Sequence, residues 1–265
     1  MLIESTTHLP VGLAWANDLF HSPKGVDIAR ILLRWSHFVF GITWIGLLYF
    51  FNLVNVPFQK GLDADTKKKV NPDLLSRTLW YFRWGAVGTV LVGLTYYAMY
   101  ILSTDVTNAN AAGGNVNVWV VLLVWLLIPC IVFVIEYLII MKVPTLTKDG
   151  RLYAVVVAVL VIVMAFVIIK WLDGQLTVGR DSFASNKTFS IGIGGALGLI
   201  MLLNVWGIIW PLQKRIIAAF AGTGPAAPPE FARRAFLASR TNAWLSLPML
   251  FFMATSHGDW IIFGH

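Results

Sequence analysis

At 265 residues, with 58% hydrophobic and only 12% charged side chains and a mean hydropathy of +0.74, the sequence lies outside the range of soluble domains. The net charge of +7 does not mark a nucleic-acid binder, because Lys and Arg fall in the short segments between apolar runs, where membrane topology puts them. The single cysteine, Cys130, excludes a disulfide framework, a cysteine-rich metal site and a Cys-x-x-Cys-His haem attachment within the chain.

The fold class that follows is all-α, an integral membrane helical bundle with about six transmembrane helices in a lipid bilayer. Residues 1–26 are mixed, with Pro10, Pro23 and Gly25 breaking any long helix. They lack the basic start and apolar core of a cleaved signal peptide, so the first apolar run is expected to be retained. Residues 9–20 could form a short interfacial helix anchored by Trp15 and Phe20. The chain thus divides into an outer-face segment, 1–26, and a transmembrane domain, 27–265.

Six stretches reach the roughly 20 residues that a crossing helix needs: 28–54, 78–102, 118–141, 152–172, 188–212 and 243–263. The last is interrupted by Pro248 and by the polar cluster Ser256-His257-Gly258-Asp259, which predicts a bend or an early end. Ahead of it, residues 222–229 read as a flexible-then-stiff linker and the Ala/Arg-rich stretch after them as a short helix. The connections on one side carry fourteen Lys and Arg and those on the other side six. The richer side is therefore expected in the cytoplasm, with both termini outside.

The segment that departs most from a plain apolar span is Arg34-Trp35-Ser36-His37-Phe38-Val39-Phe40-Gly41-Ile42-Thr43-Trp44. At helical spacing Arg34, His37, Gly41 and Trp44 share one stripe. His37 lies about 14 Å, and His257 about 9 Å, from the outer boundary at 1.5 Å per residue. Two imidazoles at similar depth on different helices suit the iron of haem b. Arg34, one turn outward, could meet propionates, and Gly41, one turn inward, leaves room for a flat ring. In the competing reading His37 bonds a neighbouring helix, Arg34 snorkels and Gly41 serves packing.

Glu136 is the only acid well inside a span, and its depth matches that of Arg83, which predicts an Arg83–Glu136 ion pair or a shared polar network acting as a structural lock. The run Gly192-Ile193-Gly194-Gly195-Ala196-Leu197-Gly198 has no preceding strand, so it reads as close helix packing through Gly194 and Gly198, not as a phosphate loop. Asn204 suits an interhelical bridge. His8, His21 and His265 read as solvated.

The stretch 33–46 resembles the first helix of the membrane domain of bacterial membrane-bound urate hydroxylases, the urate oxidase N-terminal family. Leu79-Trp80-Tyr81-Phe82-Arg83-Trp84-Gly85, and Arg240 to Phe251 with Ser256-His257, look like two more blocks of that family. The resemblance implies a helical bundle of the bacterial inner membrane that passes substrate electrons toward a c-type cytochrome. By position, His37 and His257 would form its polar centre, with Arg34 beside it. The family's urate-oxidising members carry a cytochrome c domain, whereas this sequence has no Cys-x-x-Cys-His, so electrons would need a separate c-type cytochrome or another membrane subunit. Three functions are thereby expected to compete: a haem b electron-transfer subunit, a cofactor-free accessory subunit of a larger membrane complex, and a urate-oxidising enzyme using a separate cytochrome.

Overall fold

The structure, a computed structural model, describes residues 24–257 and 261–264. Seven helices account for most of them: α1 (Gly25–Gly61), α2 (Ala64–Ala111), α3 (Val118–Lys142), the short α4 (Pro144–Lys148), α5 (Gly150–Leu176), α6 (Asn186–Phe220) and α7 (Pro229–Thr255). A hairpin of β1 (Thr177–Val178) and β2 (Asp181–Ser182) joins α5 to α6, with Gly179 in its turn at φ +65°. The interfacial helix expected over 9–20 lies outside the described residues.

Short polar side chains set the helix starts by taking up backbone N–H groups that have no intrahelical acceptor. Asp63 accepts from the N–H groups of Asp65 and Thr66 at the entry to α2. Asn117 accepts from Trp119 and Val120 at α3, Asp149 from Arg151 at α5, and Ser185 from Thr188 at α6. Asp105, near the end of α2, accepts from the Ser185 N–H at 2.8 Å and so fixes where α6 enters. Across the bundle, Arg233 donates to the Thr147 carbonyl at 3.0 Å and Arg234 to that of Met141 at 3.4 Å, so cations of α7 meet the carbonyl ends of α3 and α4.

Five helices, α1, α2, α3, α5 and α6, are long and apolar enough to cross a membrane, which makes the chain a multi-pass membrane protein. The sixth member of the bundle is α7, 27 residues long and antiparallel to α6. Its first half carries Glu230, Arg233, Arg234 and Arg240, and it extends without a break from Pro229 through Pro248. The short helix expected ahead of the final span is thus continuous with it. The polar cluster does end the helix early, at Thr255.

The centre of the bundle is α6, the most buried of the five. Three of its glycines face three neighbours. A Cβ on Gly192 would stand 2.8 Å from Leu172 of α5, one on Gly194 3.2 Å from the Met249 carbonyl of α7, and one on Gly195 3.3 Å from Trp125 of α3. Trp125 also donates its indole N–H to the Gly192 carbonyl at 2.9 Å. The expected pair is half corrected: Gly194 is a contact point, but a Cβ on Gly198 would meet nothing within 4 Å.

Three helices contain a π-helical stretch, over Phe50–Asn55, Tyr97–Leu102 and Val205–Ile209. At or beside each, a buried side chain bonds a neighbouring helix: Asn52 donates to Ser239 Oγ at 2.9 Å, Tyr97 to the Thr188 carbonyl at 3.2 Å, and Asn204 precedes the third. Such bulges re-aim side chains within an otherwise regular helix.

Candidate functional site

The α1–α2 crossing is built as side chains set into glycines. His37, Phe40 and Trp44 follow one another along one face of α1, and Gly93, Gly88 and Gly85 receive them in antiparallel order on α2. A Cβ would lie 2.7 Å from the His37 ring at Gly93, 2.6 Å from the Phe40 ring at Gly88, and 3.4 Å from the Trp44 amide nitrogen at Gly85. Together with Thr89, the first and last of these form a small-x-x-x-small ladder, 85, 89 and 93, a spacing that marks close helix approach and was readable in the sequence. A Cβ on Gly41, the position expected to leave room for a ring, would lie 3.7 Å from Thr89 Cγ2 across this interface, an ordinary contact.

Seated on Gly93, half-buried His37 uses Nδ1 to donate to the Thr89 carbonyl at 2.9 Å. A carbonyl only accepts, so the proton is on Nδ1 and the Nε2 lone pair is bare. His257 reaches the same state by another route. The Ser256 hydroxyl donates to the Met253 carbonyl at 2.7 Å, and its oxygen lies 2.7 Å from His257 Nδ1. With its one proton committed, that oxygen accepts, which again places the imidazole proton on Nδ1. His257 Nε2 is buried and has no hydrogen-bond partner among the described residues.

Residues around His257 hold it in place. Asn186 donates to the Thr255 carbonyl at 2.9 Å and accepts from the N–H groups of Ile262 and Phe263 at 3.2 and 3.1 Å, clasping the chain on both sides of the histidine. Tyr96, one turn along α2 from Gly93, lies 6.5 Å from the His257 ring, so His37 and His257 each pack against the same stretch of α2. At Ser256, next in sequence to His257, a cleft of ≈ 470 Å³ opens, with Arg30, Tyr96, Tyr100, Asp105, Asn186 and Lys187 also in its wall. Arg30 lies 4.9 Å over the Tyr100 ring. Arg34 is exposed, and its charge and that of Lys187 act on His257. This end of the bundle therefore combines two lone-pair donors, aromatic rings and three cations.

Arg83 and Glu136 are not brought together. Glu136 is 1% exposed; it accepts from the Tyr153 hydroxyl at 2.8 Å and from the Asn204 amide at 3.2 Å on each oxygen. Asn204 also donates to Asn242 Oδ1 at 3.0 Å, Asn242 donates to the Met201 carbonyl at 2.9 Å, and Thr241 donates to Tyr153 at 3.3 Å. The polar network expected for Glu136 thus exists, but its members are on α3, α5, α6 and α7. Arg83 on α2 stacks instead on Trp210 of α6, 3.8 Å from the ring centroid. The matched depth expected of the two residues does not set direction about the helix axes, and the two side chains meet different neighbours.

Fold and long apolar helices together define a multi-pass, all-α membrane protein. The family described as urate oxidase N-terminal matches residues 60–265, and the chain belongs to that family. The match includes His257, Tyr96 and the Glu136 network, and begins after Arg34 and His37. No curated protein and no solved structure matches the chain.

Proposed function

We propose that this protein is an electron-transfer subunit of a bacterial inner membrane that holds haem b between His37 and His257. The observation that carries the reading is the common state of the two imidazoles: each has Nδ1 bonded to the protein and Nε2 bare, the arrangement in which second-shell hydrogen bonds orient histidine ligands. Haem b, when bound, would carry single electrons. The chain's own contribution is to hold both rings, through Thr89 and Gly93 on one side and through Ser256 and Asn186 on the other. Arg30, Arg34 and Lys187 supply cations suited to propionate carboxylates.

The excess of Lys and Arg at the opposite end supports an orientation with this site toward the periplasm. A c-type cytochrome or a neighbouring subunit on that side is the natural electron partner. A cofactor-free accessory subunit would also use the bond from His37 to Thr89 for packing, but among the described residues it offers the buried His257 Nε2 no partner.

The reduced-minus-oxidised absorbance spectrum of the purified protein tests this. It is expected to show a b-type band that is lost in both His37→Ala and His257→Ala while the helical circular dichroism is kept. A stable, colourless protein that takes up no added haem would refute the proposal.

A further inference from the structure

We propose that Arg83, with Lys214, binds the phosphate headgroup of an anionic membrane lipid at the Lys- and Arg-rich end of the bundle. The guanidinium carbon of Arg83 lies 3.8 Å from the Trp210 ring centroid and 5.9 Å from that of Trp206, and Trp84 closes edge-on against Trp206 at 5.4 Å. Such a cation-π contact holds the cation without satisfying its N–H groups. Its Nε and Nη1 are shut off from the surface and make no hydrogen bond, and no carboxylate lies within ion-pair reach, among the described residues. Nη2 is thus the edge left open to an incoming acceptor.

The surroundings select the acceptor. Trp206 and Trp210 face the cation, and Trp84, 45% exposed, packs on Trp206, so indoles, the side chain that favours the level of lipid headgroups, border it. Trp206, Trp210 and Lys214 fall at i, i+4 and i+8 on α6, so exposed Lys214 continues the same stripe one turn farther toward the aqueous boundary. One open guanidinium nitrogen backed by a second point charge suits a phosphate oxygen. An apolar, indole-lined rim suits the acyl chains attached to it. A soluble anion would meet that rim with nothing to cover it.

The test is native mass spectrometry of the full chain in detergent, comparing retention of phosphatidylglycerol and phosphatidylcholine with identical acyl chains. Wild type is expected to prefer the anionic lipid. Arg83→Gln is expected to reduce that preference about fivefold or more, and Lys214→Gln about two- to fivefold, given the usual contribution of one cation near an anionic membrane surface. Excess inorganic phosphate is expected not to displace the lipid. Unchanged preference in both variants would overturn the proposal, as would displacement by free phosphate, which would identify a soluble-anion site. Lys214 is exposed and dispensable for packing, so if Arg83→Gln does not fold, an unchanged preference in Lys214→Gln is by itself contradictory.

Discussion

Asn204→Leu is expected to destabilise the protein by about 2–4 kcal/mol, because buried polar partners left without a hydrogen bond cost roughly 1–3 kcal/mol each. The amide of Asn204, fully buried, donates to both oxygens of Glu136 and to Asn242. Leucine fills the space but donates nothing. Glu136 keeps only Tyr153, Asn242 Oδ1 loses its donor, and no cation stands within ion-pair distance of either among the described residues. In the hydrocarbon interior water does not readily replace the lost donors. The apparent melting temperature in detergent should fall by roughly 5–10 °C. A fall of less than about 2 °C, near the size of an ordinary surface change, would show that the four-helix network contributes little.

Gly93→Ala carries the second large effect and separates the two glycines that border the His37 stripe. The new methyl would lie 2.7 Å from Cε1 and Nδ1 of His37. That separation is too short, so the ring must tilt or move away and its bond to the Thr89 carbonyl is weakened or lost. Overpacking of this kind costs about 1–3 kcal/mol. Gly41→Ala adds a methyl 3.7 Å from Thr89 Cγ2, an ordinary contact, and should stay within about 0.5 kcal/mol of wild type. Thermal melts read the stability difference. On the proposed function, Gly93→Ala also shifts or removes the b-type band and Gly41→Ala does not. Equal behaviour of the two variants would contradict the assignment of Gly93 as the seat of His37.

The spans of α1, α2, α3, α5 and α6 were legible in the sequence, because length and apolarity alone mark a helix able to cross a membrane. Rotation about a helix axis was not. Arg83 sits on the side of α2 that meets Trp206 and Trp210, whereas Glu136 sits on the side of α3 that meets Tyr153 and Asn204. Gly198, four residues from Gly194, is buried too, yet a Cβ there would meet nothing within 4 Å.

Gly93 was hidden for a different reason: its function is to be absent where His37 lies, and a lone glycine in an apolar run carries no sign of what fills the space. The ladder of Gly85, Thr89 and Gly93 was the readable clue. The tautomers were not readable at all, because they depend on which carbonyl and which hydroxyl each ring meets. Ser256 is adjacent to His257 in sequence, but its proton is committed by Met253. That commitment exists only once the end of α7 has formed.

The central claim is that two protein imidazoles together hold one haem, and the electron paramagnetic resonance spectrum of the oxidised, haem-loaded protein reads it directly. Two axial histidines predict a low-spin ferric signal in wild type that gives way to a high-spin signal, or to loss of haem, in His37→Ala and in His257→Ala. A high-spin signal in wild type, or a low-spin signal that survives both substitutions, would contradict the account.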